Sequence, residues 1–202
     1  WNLLQKIVPS DRSSSDNFGT AVAVDGDVAV ISAIQDANGL PGQPTLGLAG
    51  SAYVFTQNQN GSWGQTVKLV PSDRESVDQF GKSVAVSGNT IMVGAWQEDQ
   101  DENNANFITD AGSVYVFERD SAGNWTQVQK LTASDRSFND RFGNAVALDG
   151  NYAVIAAIAQ DLNAAGGQPV TDAGAAYIFE RDTLTGLWSE VQKLTPHRTQ
   201  PR

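Results

Sequence analysis

Cysteine is absent from the chain, and histidine occurs once, as His197 near the C-terminus. The first absence excludes disulfides, thiolate nucleophiles and Cys-based zinc sites together. The second leaves little room for histidine-dependent chemistry. No apolar run approaches the roughly 20 residues that a membrane-spanning helix requires. Positive charge is scarce: 13 Lys and Arg stand against 23 Asp and Glu, a net charge of −10. A field of that sign repels phosphate backbones and anionic headgroups, so neither nucleic acid nor membrane insertion is expected. The 202 residues suffice to bury a sizeable core. The first residue is Trp1, not Met, which suits a processed protein or a piece of a longer one.

What is present is a repeat. Phe-Gly recurs at Phe18-Gly19, Phe80-Gly81 and Phe142-Gly143, a step of 62 each time. Tyr53-Val54-Phe55, Tyr115-Val116-Phe117 and Tyr177-Ile178-Phe179 keep the same step, as do Asp11-Arg12, Asp73-Arg74 and Asp135-Arg136. Trp1, Trp63, Trp125 and Trp188 step by 62, 62 and 63. Each repeat reads as four short strands. Strand A alternates apolar residues after the Phe-Gly, and a tight Gly turn such as Asp25-Gly26 leads into strand B. Strand B ends in small residues, strand C carries the Tyr-x-Phe, and strand D begins at the Trp. Four antiparallel strands per unit at a strict period predict an all-β fold, a β-propeller of four-stranded blades.

The three copies read Phe18-Gly19 … Val30-Ile31-Ser32-Ala33 … Gly50-Ser51-Ala52-Tyr53-Val54-Phe55, then Phe80-Gly81 … Val93-Gly94-Ala95 … Gly112 to Phe117, then Phe142-Gly143 … Ile155-Ala156-Ala157 … Gly174 to Phe179. This pattern resembles the FG-GAP repeat of integrin α-subunit propellers and of bacterial surface proteins. It is most similar to the bacterial branch, with its outer-strand Trp and Lys-Leu, here Trp125 and Lys130-Leu131. The resemblance implies an extracellular or cell-surface module that binds or adheres. It also implies a calcium loop between strands A and B, but the turns at Asp25-Gly26-Asp27, Ser87-Gly88-Asn89 and Asp149-Gly150-Asn151 are too short to wrap an ion.

The strand count predicts an outer strand of a preceding or exchanged blade over 1–10, then blades at 11–72, 73–134 and 135–195, and a polar tail at 196–202. Propellers close with about four to eight blades. Three blades leave open edges, so self-association or further blades of the same polypeptide are expected.

The repeated Asp11, Arg12, Asp73, Arg74, Asp135 and Arg136 are expected to be structural, locking blades together, because scaffold needs recur per blade. The long B-to-C loops differ between blades and share one face with the D-to-A connections, so that face is the expected recognition surface. Its candidate ligand contacts are Asp36, Trp96, Asp99 and Asp161. Trp96 stands where the other copies have Ile34 and Ile158. The acidic second loop offers Asp99, Asp101 and Asp110 as ligands for Ca2+, the one cofactor considered. The expected function is an extracellular binding or adhesion module that engages a protein or glycan partner through this face; a structural subunit assembling into a multimer or fibre through open blade edges, and a lectin, are the alternatives. The expectation is a non-enzymatic protein, with a carboxylate-dependent glycoside-active enzyme as the exception.

Overall fold

The computed structural model describes residues 2–163 and 169–196. Trp1, residues 164–168 of the third B-to-C loop, and His197 with the rest of the expected tail lie outside the described residues. Among those described there is no helix. Three four-stranded antiparallel sheets make three blades of a propeller. Blade 1 holds β1 (Phe18–Asp25), β2 (Val28–Ala33), β3 (Ser51–Gln57) and β4 (Trp63–Leu69). Blade 2 holds β5 (Phe80–Ser87), β6 (Thr90–Ala95), β7 (Ser113–Arg119) and β8 (Trp125–Leu131). Blade 3 holds β9 (Phe142–Asp149), β10 (Tyr152–Ala157), β13 (Ala175–Arg181) and β14 (Trp188–Leu194). The short β11 (Leu162–Asn163) and β12 (Pro169–Val170) pair within its B-to-C loop.

The blades pack face to face in series, with β5 of blade 2 in contact with both β1 and β9. Val30, Ala52, Val54 and Leu69 of blade 1 meet Val93, Tyr115, Phe117 and Trp125 of blade 2. Met92, Val114, Val116 and Leu131, the same positions one repeat later, meet Ile155, Tyr177, Phe179 and Trp188 of blade 3. Strand alternation explains this, because residues two apart share a face and each blade is apolar on both.

The Phe-Gly pair works at these junctions. Phe80 is fully buried, edge-on to Tyr115 and Phe117 at 5.6 and 6.1 Å, and Phe142 repeats the arrangement with Tyr177 and Phe179. Such pairs add about 0.5–1.5 kcal/mol each beyond the area they bury. Gly81 follows at φ 97°, and a Cβ there would sit 2.8 Å from Ser32 Cβ of blade 1. Only glycine lets the two backbones approach so closely.

One expectation needs correction. Residues 2–8 form no sheet ladder among the described residues. They nevertheless occupy the place of an outer strand beside blade 1. The Gln5 amide donates to the Trp63 carbonyl and accepts from the Trp63 N–H, both at 2.8 Å, as Gln129 of blade 2 does with Trp188 of blade 3. Ile7 packs on the cluster of Ile31, Tyr53 and Phe55.

Candidate functional site

The B-to-C loops and D-to-A connections form one face, stitched by backbone hydrogen bonds between neighbouring blades. Val77, Gln79 and Phe80 donate to Gly47, Leu48 and Ala49, and Asn139, Arg141 and Phe142 donate to Thr109, Asp110 and Ala111. In each connection two residues adopt positive φ, Ser15 and Asn17, Val77 and Gln79, Asn139 and Arg141. That backbone shape is a repeated scaffold feature.

Beneath the face each blade holds a polar cluster, fully buried in blade 2 and more open in blades 1 and 3. In blade 1 the Tyr53 hydroxyl donates to Asp36 (2.7 Å) and Asp11 (2.9 Å), and Lys68 bridges both carboxylates at 2.6 Å. In blade 2 Tyr115 donates to Glu98 at 2.9 Å, and Lys130 pairs with Asp73 at 2.7 Å and Glu98 at 3.1 Å. In blade 3 Tyr177 donates to Asp135, and Lys193 donates to Asp135 and to the side-chain amide oxygen of Gln160. Burial alone would raise the Asp36 carboxyl, but Lys68, Tyr53 and the Asn38 N–H hold it below the usual range. Burial and the adjacent carboxylates push all three tyrosine hydroxyls upward.

These contacts reassign several candidates. Asp36, only 1% exposed, is an interior ion-pair partner and is not presented to a ligand. Asp11 and Asp135 pair with lysine and tyrosine, and Asp73 with Lys130, not with the arginine that follows each. Arg74 instead donates to the carbonyls of Pro44 and Asp36, and Arg136 to those of Asn106 and Asp99. Each thereby ties its own connection to the preceding blade's loop. Arg12 is exposed.

The acidic loop is braced from within. Asp99 accepts the Asp110 N–H at 2.7 Å, and Asp161 accepts the Asp172 N–H at 2.9 Å. Burial raises the Asp99 pKa. Asp101 is buried and accepts from the Asn103 and Ala105 N–H groups and the Asn106 amide; the loop N–H groups and that amide draw its pKa down. Among the described residues no three His, Cys, Asp or Glu side chains gather in a metal-holding group, so Asp99, Asp101 and Asp110 do not form the calcium set expected of them.

Trp96 does lie on this face, half-buried, with two cations against its ring. Lys82 Nζ is 4.4 Å and Arg141 Cζ 5.0 Å from the ring centroid. A relay of amides orients the indole: its N–H donates to Gln79 at 3.0 Å, Gln79 donates to Gln97, and Gln97 donates to Asp110 at 3.4 Å. Reading the sequence missed Lys82 and Arg141. Their signal was a departure from the repeat, since Thr20 and Asn144 match Lys82 while Asn17 and Gln79 match Arg141. Also missed were Phe107 and Phe138, 64% and 70% exposed on the loop and connection that Asn139 and Thr109 join. Ser14 and Ser76 occupy the Phe138 position elsewhere. Between adjacent blades run two open grooves of about 370 and 460 Å3, lined in part by Arg74 and Arg136 respectively.

A search of curated proteins finds no match to the chain. The protein-family model of the FG-GAP repeat matches three times, over residues 1–55, 63–117 and 125–179. Each matched unit runs from the outer-strand Trp position of one blade to the Tyr-x-Phe of the next, which makes the 2–8 segment an ordinary part of the unit. Repeats of this kind are typical of extracellular proteins and suggest a binding module. Three matched units spread from the first residue to the third strand of blade 3, on a scaffold of Phe-Gly-locked blades, establish that the chain belongs to the FG-GAP repeat family.

Proposed function

We propose that this protein is an extracellular or cell-surface binding module that engages a protein or glycan through its loop face, by shape and charge complementarity and without covalent chemistry. The observation that carries the reading is the contrast between repeated and unrepeated residues. Residues that recur in every blade are spent on the junctions and the lysine clusters, whereas Phe107, Phe138, Trp96, Lys82 and Arg141 stand on the loop face and break the repeat. Large exposed aromatics are costly to solvate and are favoured as anchors where a partner covers them. The purified chain on protein and glycan arrays should give hits that are lost in a Phe107→Ser, Phe138→Ser double variant. Hits that persist unchanged in that variant would remove this face from the account.

A second reading, assembly through an open blade face, is supported by the outer side of blade 3. Tyr152, Val154 and Leu194 are 55, 40 and 41% exposed there. Their counterparts in blade 2, Thr90, Met92 and Leu131, lie at the junction with blade 3, where Met92 and Leu131 are buried. In this reading a further blade, from the same polypeptide or from a second copy, covers that face. Sedimentation velocity should show association that Val154→Lys abolishes; a concentration-independent monomer would exclude the second-copy form.

A further inference from the structure

The Lys82–Trp96–Arg141 cluster is an unusual place to put positive charge. The chain carries a net charge of −10, and Lys68, Lys130, Lys193 and Arg181 are all consumed in ion pairs. Lys82 and Arg141 make no salt bridge among the described residues, yet they converge on one indole from two different blades. Two like charges at one ring repel each other, and attraction to the ring offsets this only in part. All three positions depart from the repeat: neutral Thr20 and Asn144 stand for Lys82, neutral Asn17 and Gln79 for Arg141, and Ile34 and Ile158 for Trp96. Packing needs would recur in every blade, and these do not.

The surroundings narrow the ligand. Arg141 Nε donates to the Asn139 amide oxygen at 3.0 Å, which holds part of the guanidinium, and its remaining N–H groups have no acceptor among the described residues and can meet an anion. The indole N–H is engaged by Gln79, so the ring is held in place before any ligand arrives. The neighbouring polar groups are amides, Gln79, Gln97 and Asn139, which can both donate to and accept from hydroxyls. The acidic loop that ends at Asp110 lies at the end of the same relay and repels dense polyanions such as sulfated chains. A single carboxylate flanked by hydroxyls fits this setting.

We propose that Lys82, Arg141 and Trp96 form a binding site for a carboxylated sugar of the uronic-acid type, its carboxylate shared by the ammonium and the guanidinium. This rests on the loop-face reading above and gives that face a ligand class. The carboxylate would accept charge-assisted hydrogen bonds from both cations, which the indole holds in place.

The test is a titration of the full chain with tri-galacturonate, followed by tryptophan fluorescence and calorimetry, beside neutral maltotriose and an acidic hexapeptide. Saturable binding of the uronate, without binding of maltotriose, is expected. Lys82→Asn and Arg141→Asn, each borrowing a residue that another blade already uses, should each weaken it about tenfold or more. Lys82→Gln and Arg141→Gln replace them where an asparagine variant fails to fold. Trp96→Ile should remove the fluorescence change and weaken the calorimetric signal. No saturable uronate binding, or equal affinity in the lysine and arginine variants, overturns the proposal. Equal binding of the hexapeptide overturns the sugar assignment. Array hits that depend on Phe107 and Phe138 but not on Lys82 or Arg141 would sink this site while leaving the loop-face reading intact.

Discussion

Blade 2 and blade 3 share a strand pattern and the same repeat residues, yet their cluster lysines live in different worlds. Lys130 of blade 2 and its partners Asp73 and Glu98 have side chains only 4, 6 and 2% exposed. Lys193 and Asp135 of blade 3 are 24 and 45% exposed, and the second carboxylate is replaced by the neutral Gln160. Blade 2 is covered on both faces, whereas the described residues leave the outer face of blade 3 half-open. The same polar cluster is therefore an interior ion-pair network in one blade and a solvent-screened contact in the other. Neighbouring layers, more than the cluster's own chemistry, set its energetic weight.

The largest expected effect tests this directly. Lys130→Met strands two buried carboxylates and should destabilise the protein by about 3–5 kcal/mol, whereas Lys193→Met should cost roughly 1 kcal/mol or less. Urea denaturation of the two variants measures the difference, and equal losses would refute the comparison. A second contrast sets an inner junction against an open edge. Gly112→Ala would drive a Cβ into the Phe142 backbone of the next blade, while Gly19→Ala meets nothing within 4 Å. Both have positive φ, so Gly19→Ala should cost about 1–2 kcal/mol of strain and Gly112→Ala distinctly more. Thermal unfolding of both variants supplies the comparison.

The pH response should differ between these blades as well. Burial first, then the Glu98 charge, pushes the Asp78 carboxyl up to about 8, and burial raises its blade 3 counterpart Asp140 to about 6. With a raised pKa the native state holds a proton that the unfolded chain releases near pH 4. Stability contributed by each group is therefore complete below that point and is lost as pH rises, to about 8 for Asp78 and about 6 for Asp140. Asp78→Asn should flatten the fall between pH 6 and 8, where Asp140→Asn leaves it unchanged. Denaturation midpoints measured across pH 4 to 9 would expose a wrong assignment. The smallest effect is a gain. Val77, β-branched, sits at φ 77° where blade 3 has Asn139. Val77→Asn should stabilise by about 1 kcal/mol, and no gain in melting temperature would mean that the left-handed backbone there is not strained.

Much of the scaffold was legible in residue order. The step of 62 placed the Phe-Gly pairs, the Tyr-x-Phe strands and the outer-strand Trp, because each marks a backbone need that recurs in every blade. The outer segment at 2–8 was read as a strand because its pattern matches β4 and β8, but a strand also needs a partner backbone, which local pattern cannot provide. The candidate site was harder to read. Asp36 looked like a lone acid in a Gly/Pro-rich loop, and nothing local announced that Lys68 and Tyr53 converge on it. Asp99, Asp101 and Asp110 looked like a cation loop, whereas two of them spend their oxygens on the loop's own N–H groups and Asp110 takes the end of an amide relay.

The sequence by itself determined the strand period, the turns and the apolar faces, since those follow from alternation and from the residues that tolerate positive φ. Only the tertiary structure decided which lysine is buried, that Arg74 and Arg136 clasp loop carbonyls, and that Lys82 and Arg141 meet at Trp96. Such meetings join residues of different strands and blades. Their distance is set by how the sheets stack, and no local rule of the chain encodes it.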